Sequence, residues 1–424
     1  MFRRVVILLV TLCLYPAMGV AQTREYVSNG DTIKYQYTPL AHTSASAEGA
    51  SVVNADTTKR ERSRFVQRFL DFATQDAIDR SFEKKIDFSI VPAPSYSRKT
   101  SLSLNLVATG VYRVDRSDSI TSPSNVSLYG SVSIIGYYYL GVLGNTFFRH
   151  DRHRLDYDIG FQSMPTDFWG FGYQAAMTNP MREYVNKNAF GAVRYLYELF
   201  PNFNIGVLLD FEYTKAKPLK DKNKEYSFPE YFGDQRRSYT AFGQGVIIEY
   251  DSRDVITNPT KGLYVGANFL VRPKAFGDVG HTLWRVNSTI NFYQRLWRDA
   301  VLALDLHGEF NSRHTPWTMY ALLGNNYRMR GYYEGQFTDL NMVTFQAELR
   351  QRVWRRLGVV AWGGAGNVFH SFDTFAWQQT LPNYGVGLRW ELKRGISARI
   401  DYGFGGKVNG ELVHGLVMSI NEAF

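Results

Sequence analysis

The chain has 424 residues, 45% hydrophobic and 15% aromatic, with a formal net charge of +9 and a mean hydropathy of only −0.27. Many aromatics at modest hydropathy suit a barrel in which every second residue meets lipid, and after residue 21 no apolar run of ~20 residues offers a transmembrane helix. The charge falls to +7 without Arg3 and Arg4, small for this length; it marks a solvated surface and gives no ground for a nucleic-acid partner.

Arg3 and Arg4 precede an apolar stretch, Val5 to Leu14, and Gly19-Val20-Ala21 offers small residues for cleavage. This pattern predicts a secretory signal peptide over 1–21. Cys13, the single cysteine, lies inside it, so the mature chain is expected to carry no disulfide, no cysteine metal site and no cysteine nucleophile; no cofactor or metal is expected. Residues 22–58 are rich in Ser, Ala and Thr and read as a polar linker. Phe65, Phe69, Phe72 and Ala73 then recur at helical spacing among Arg60, Arg62, Arg64 and Arg68, which predicts an amphipathic helix within 59–86.

From Asp87 the period changes to two. Leu102, Leu104 and Leu106 alternate with Ser101, Ser103 and Asn105, and Leu155, Tyr157, Ile159 and Phe161 alternate with Arg154, Asp156 and Asp158. A half-buried strand of a soluble protein shows the same period. Here it recurs over sixteen long segments, the first at 87–97 and the last at 414–424. The expected fold is all-β, a 16-stranded antiparallel transmembrane barrel over 87–424, closed because hydrocarbon leaves no edge group solvated. Short connections near Asp151, Pro201, Arg298 and Lys393 fall at one end, and long ones, 165–183, 216–237 and 310–338, at the other. The short end is assigned to the periplasm with both termini, the long end to the exterior.

Leu323 to Phe337 is a long polar loop carrying Arg328 and Arg330. Loops of this length inside a compact fold are usually functional or disordered. Gly331 permits a tight backbone, and Tyr332 and Tyr333 supply packing mass with polar tips. The expectation is that the loop folds into the lumen and docks Arg330 on the wall.

Two motifs carry a family resemblance. Met329-Arg330-Gly331-Tyr332 resembles the loop-six signature of the BamA/TamA superfamily, the bacterial surface-antigen type. The stretch Asp251-Ser252-Arg253-Asp254, followed by Asn258-Pro259-Thr260-Lys261-Gly262, resembles the family's hairpin between strands eight and nine. Asp and Arg can pair across such a turn, Pro259 fixes φ, and Gly262 permits a positive one. Weaker echoes are Phe168 to Tyr173, Gly385 to Trp390 and Arg399 to Gly403. A last strand ending in Phe424 resembles the sorting signal read by the outer-membrane assembly machinery. The resemblance implies residence in the outer membrane of a Gram-negative bacterium and partners among outer-membrane lipid, client proteins and periplasmic proteins, with a monomeric barrel. It also implies that Arg330 meets acids on the predicted strands 339–352 and 357–368. Glu348 stands at the first position; the second has Gly364 where the family often has Asp, so half of the acceptor is expected to be missing. The resemblance further implies periplasmic POTRA domains, and none is apparent in residues 22–86.

No Gly-x-Ser-x-Gly elbow, His-Glu-x-x-His or P-loop motif occurs. Asp305, His307 and Glu309 share a strand face, and His150 and His153 flank Asp151; lumen lining and a solvated turn account for them. The run Arg350, Arg352, Arg355 and Arg356 reads as a solvated basic turn. Three functions remain open: a factor that helps insert or translocate proteins or lipids, a passive porin-like or structural barrel, and an outer-membrane hydrolase.

Overall fold

Strand formation follows the two-residue period directly. The computed structural model describes residues 85–424 apart from 98, 116, 119–120, 219–236, 394–395 and 421. The signal peptide, the linker and all but Lys85 and Ile86 of the predicted helix lie outside the described residues. In chain order the strands are β1 (Asp87–Ser97), β2 (Ser101–Tyr112), β3 (Ser124–Ser133), β4 (Tyr138–Phe147), β5 (His153–Phe168), β6 (Arg182–Phe200), β7 (Phe203–Pro218), β8 (Ser238–Asp251) and β9 (Gly262–Arg272). They continue as β10 (Leu283–Trp297), β11 (Ala300–Asn311), β12 (Ala321–Leu323), β13 (Phe337–Asp339), β14 (Asn341–Trp354), β15 (Leu357–Phe369), β16 (Leu381–Lys393), β17 (Ile396–Val408) and β18 (Glu411–Ile420). Sixteen of them close one antiparallel barrel, in which β11 pairs with β14 and β1 meets β18; β12 and β13 form a separate two-stranded ribbon inside the β11–β14 connection.

The two faces separate as the alternation requires. Leu102, Leu104, Leu106, Leu128, Leu209, Val246 and Leu388 are exposed on the outside, where hydrocarbon replaces water as their solvent. Inward residues bond across neighbouring strands: Ser131 Oγ donates to Asn105 Oδ1 at 2.6 Å, at a position where those two residues are register partners. Deeper in the wall, Arg272 on β9 donates to Asp210 and Glu212 on β7 at 2.7 and 2.6 Å. The inner face is thus a lattice of hydrogen bonds and ion pairs.

A barrel of sixteen strands leaves a lumen that wall side chains cannot fill. The β11–β14 connection fills it. Leu323, Met329, Tyr332 and Phe337 from this loop pack with Ala176, Met342, Val368, Leu381 and Val413 in one apolar cluster. Ala176 belongs to α1 (Gly172–Thr178), a short helix in the β5–β6 connection. Trp317 and Met319 enter a second cluster with Phe168, Tyr184 and Tyr239. The Phe168 to Tyr173 stretch therefore has a packing role: Phe168 and Phe171 lie 5.9 and 6.3 Å from Trp317, and Trp169 lies 5.6 Å from Tyr333.

The last strand differs from expectation. β18 ends at Ile420, with Met418 on the lipid side. Phe424 turns inward instead of continuing that face: its ring lies 6.4 Å from Tyr293, and the Arg350 guanidinium sits 5.3 Å above it. A cation over the ring and a hydrogen bond from Arg350 Nη2 to the Phe424 carbonyl at 2.8 Å favour the inward position.

Candidate functional site

The loop is built to aim two arginines at the wall. Asn325 Oδ1 accepts from the backbone N–H groups of Tyr327 and Arg328 at 2.8 and 2.7 Å, which closes a tight turn. Met329 then adopts φ 51° and Gly331 φ 104°. A left-handed Met costs about 1–2 kcal/mol, offset here by burial of its side chain in the cluster.

Arg328 meets Asp305 on β11, donating from Nε and Nη2 at 2.7 and 2.8 Å. Asn291 and Gln346 also donate to Asp305, at 2.7 and 3.2 Å. Of the three residues sharing the β11 face, Asp305 is thus held in an ion pair, Glu309 stands 3.7 Å from Arg285, and His307 bonds Thr289. His150 faces Asp118, and His153 bonds the Tyr195 hydroxyl, so the two histidines share no site.

Arg330 is fully buried, as are Glu348 and Asp401. Its Nη2 donates to Glu348 Oε2 at 2.6 Å and its Nη1 to Asp401 Oδ2 at 2.8 Å. The guanidinium lies 3.6 Å over the Trp362 ring. The contacts continue around a closed circuit. Glu348 Oε1 accepts from Arg350 Nε at 2.7 Å. Asp401 Oδ1 accepts from Arg389 Nη1 at 2.5 Å, and Arg389 Nε donates to Glu422 at 2.7 Å. Glu422 stands 3.7 Å from Arg350 Nε, which completes the ring. Three arginines alternate with three carboxylates, so each charge of the ring has an opposite charge on both sides, the arrangement that makes burial tolerable.

Three expectations are corrected here. The second acceptor of Arg330 is present, on β17 instead of at position 364. A side chain at Gly364 would bring its Cβ within 2.8 Å of Gln346 Cβ, so an acid has no room there while Asp401 reaches the same guanidinium from the far side. Secondly, a lumen too wide for wall side chains is expected to hold water that screens the pair, whereas Arg330 and Glu348 are both fully buried. Thirdly, Arg350 belongs to this ring and not to a solvated basic turn. Arg399, beside the ring, lies 3.6 Å from Asp401 and 5.6 Å from the Tyr327 ring centre, and its three nitrogens make no hydrogen bond among the described residues.

The backbone after Arg330 is fitted as closely. Asn383 Nδ2 donates to the Arg330 carbonyl at 2.6 Å. The Tyr332 hydroxyl donates to the Pro382 carbonyl at 2.8 Å and accepts from Gly406 N at 2.6 Å. Gly331 lies on Gly403 of β17 and Gly415 of β18, which are register partners. Any Cβ at Gly331 would come within 2.6 Å of the Gly403 carbonyl. Asp401, Arg389 and Gly403 carry no role implied by the sequence motifs, although they fall in two of the three weaker echoes, Gly385 to Trp390 and Arg399 to Gly403. The available signal was an inward acid and inward glycines alternating on adjacent late strands.

The hairpin motif forms the β8–β9 turn, which adjoins the charge ring through Tyr293, whose aromatic ring lies 5.8 Å from the Arg350 guanidinium and interacts with Arg253. Arg253 donates from Nε and Nη2 to Asp251 at 2.9 and 2.7 Å, a bond to its own strand, and packs across the turn over the Tyr264 ring at 4.7 Å. Asp254 accepts from Val255 N, Thr260 N, Thr260 Oγ1 and Lys261 N at 3.0, 2.9, 2.5 and 3.3 Å. Partial burial works against its charge, but these four donors hold the carboxyl below its ordinary value. Pro259 stands within the turn, and Gly262 takes φ 116°, where an added Cβ would collide with the Ser252 carbonyl oxygen.

The fold and this site define a transmembrane β-barrel whose mouth is occupied by an inserted loop, pinned to the wall through a buried arginine. The chain belongs to the Omp85 superfamily, whose domain description matches residues 125–424. BamA from Haemophilus ducreyi lacking POTRA domains 1–3 shares the fold at a TM-score of 0.55 and 12% identity, over 84% of this chain and 77% of that one. CdiB from Escherichia coli aligns at 0.53 and 11%, covering 81% and 68% of the two chains. CdiB from Acinetobacter baumannii aligns at 0.51 and 12%, covering 80% and 60%. No curated protein matches the chain.

Proposed function

We propose that this barrel resides in the outer membrane of a Gram-negative bacterium and assists the insertion or translocation of other proteins or of lipids. The observation that supports this reading is the closure between β1 and β18. Among the described residues it is held at one register position, Tyr96 opposite Met418, whereas β1 pairs with β2 at every position from Asp87 to Ser97. A strand edge that is nearly unpaired within a bilayer is costly. It is also the surface on which an incoming strand gains the most hydrogen bonds. The filled mouth and the ion-paired Asp305 favour this role over an open pore or a hydrolase.

The termini and the short turns belong to the periplasm in this reading, and the β5–β6, β7–β8 and β11–β14 connections to the exterior. The test is a seam disulfide. Tyr96→Cys with Met418→Cys joins positions that face each other across an antiparallel pair, within disulfide reach. Oxidation should stop assembly of client barrels in proteoliposomes, and reduction should restore it. Assembly that continues with the seam locked would refute the proposal.

A further inference from the structure

Loop six touches both sides of the seam. On one side Arg330 bonds Asp401 of β17, and Gly331 rests on Gly403 of β17 and Gly415 of β18. On the other side Glu334, three residues later, pairs with Lys99 in the β1–β2 turn at 3.3 Å. The seam between these attachments has the single pairing Tyr96–Met418. We propose that loop six is the latch of this seam, anchored to β17 and β18 at Gly331 and to the β1–β2 turn at Glu334.

Reach makes the latch effective. Three residues of extended chain span at most about 10–11 Å. Strands in a sheet lie about 4.7–4.9 Å apart, so the step from β18 past β1 to β2 already takes up roughly two spacings, ~10 Å. The Lys99 and Glu334 side chains complete the span, so separating β18 from β1 by a further spacing draws on their extension and then breaks their 3.3 Å pair. The anchors are unequal. The Arg330 side is buried in the charge ring, and the Gly331 backbone is fitted against two glycines. The Lys99–Glu334 pair is partly exposed, with side-chain accessibilities of 12% and 35%; pairs in such settings are weak. Glu334 is therefore the end that releases first, leaving the loop docked on β17 and β18 while β1 moves away.

The latch rests on the seam reading, and its test needs no client. Nitroxides at Ile90→Cys on β1 and Met418→Cys on β18, in a mature chain expected to carry no other cysteine, report the seam distance in lipid nanodiscs. Lys99→Glu should raise the fraction of long distances roughly twofold or more, in keeping with loss of a surface pair and introduction of repulsion. Lys99→Glu combined with Glu334→Lys should restore the original distribution. Protease resistance of the loop should persist throughout, because the Arg330 ring is untouched. An unchanged distribution in Lys99→Glu would overturn the latch, as would a charge swap that fails to restore closure. Either result would leave the disulfide experiment on client assembly to stand or fall by itself.

Discussion

Arg330 and Asp401 are 71 positions apart in the chain and 2.8 Å apart in the fold. The bond carries the loop from β14, where Glu348 holds the other guanidinium nitrogen, to β17, separated from the β1–β18 seam by β18 alone. It converts a loop that merely enters the lumen into one that spans several wall strands next to the barrel's least paired closure.

That position leads to an expectation for the ring. Removing one partner of a buried ion pair leaves an unpaired charge and typically costs about 3–5 kcal/mol. Arg330→Ala, Glu348→Gln and Asp401→Asn should each release the loop, read as faster hydrogen exchange and new protease cuts within 312–340, with the barrel still inserted. Arg330→Ala combined with Glu348→Gln should cost clearly less than the sum of the two single changes, since both break the same bond. Arg330→Lys should not rescue, because an ammonium cannot present two fork nitrogens to two acids while stacking on Trp362. Additive single effects would exclude direct pairing.

The glycine pad gives a steric prediction. At Gly403 an added Cβ would collide with the Arg330 carbonyl, and at Gly331 it would meet the Gly403 carbonyl. Gly403→Ala and Gly331→Ala should both undock the loop, and the second carries an added penalty from its φ of 104°. Gly363→Ala, where nothing lies within 4 Å of the added atom, should change stability by less than ~0.5 kcal/mol. Equal thermal stability for all three variants in detergent, with unchanged loop protection, would show that the pad is not a steric fit.

Asp254 predicts a pH response confined to the β8–β9 turn. Its folded carboxyl titrates below the ordinary value of 3.8, so the folded turn favours the ionised form. The resulting stabilisation is complete above that ordinary value and disappears as pH falls through the lower folded one. A fluorophore at Ile256→Cys should report loosening of the turn only in that acidic window. Asp254→Asn should remove this acid-dependent component. A transition at neutral pH would point to another group.

Much of the architecture is determined by residue order alone. Alternation along Leu102 to Leu106 or Leu155 to Phe161 depends only on the period of a strand, and the requirement that every backbone group be satisfied in hydrocarbon then compels closure. Arg330 and Glu348 were legible as a pair through the resemblance of Met329-Arg330-Gly331-Tyr332 to the loop-six signature, which singles out Arg330 over Arg328 and implies an acid at the position of Glu348. The partnership of Arg330 with Asp401 was not legible. Alternation assigns Asp401 to the lumen, but many inward residues share that property, and which of them meets a given arginine depends on how far around the wall the loop travels. Exclusion of a side chain at Gly364, the stacking on Trp362 and the Gly331–Gly403–Gly415 fit make that choice, and each is a distance between segments remote in the chain. Periodicity determines which face a residue occupies; only close packing across the closed barrel decides which residues on that face become partners.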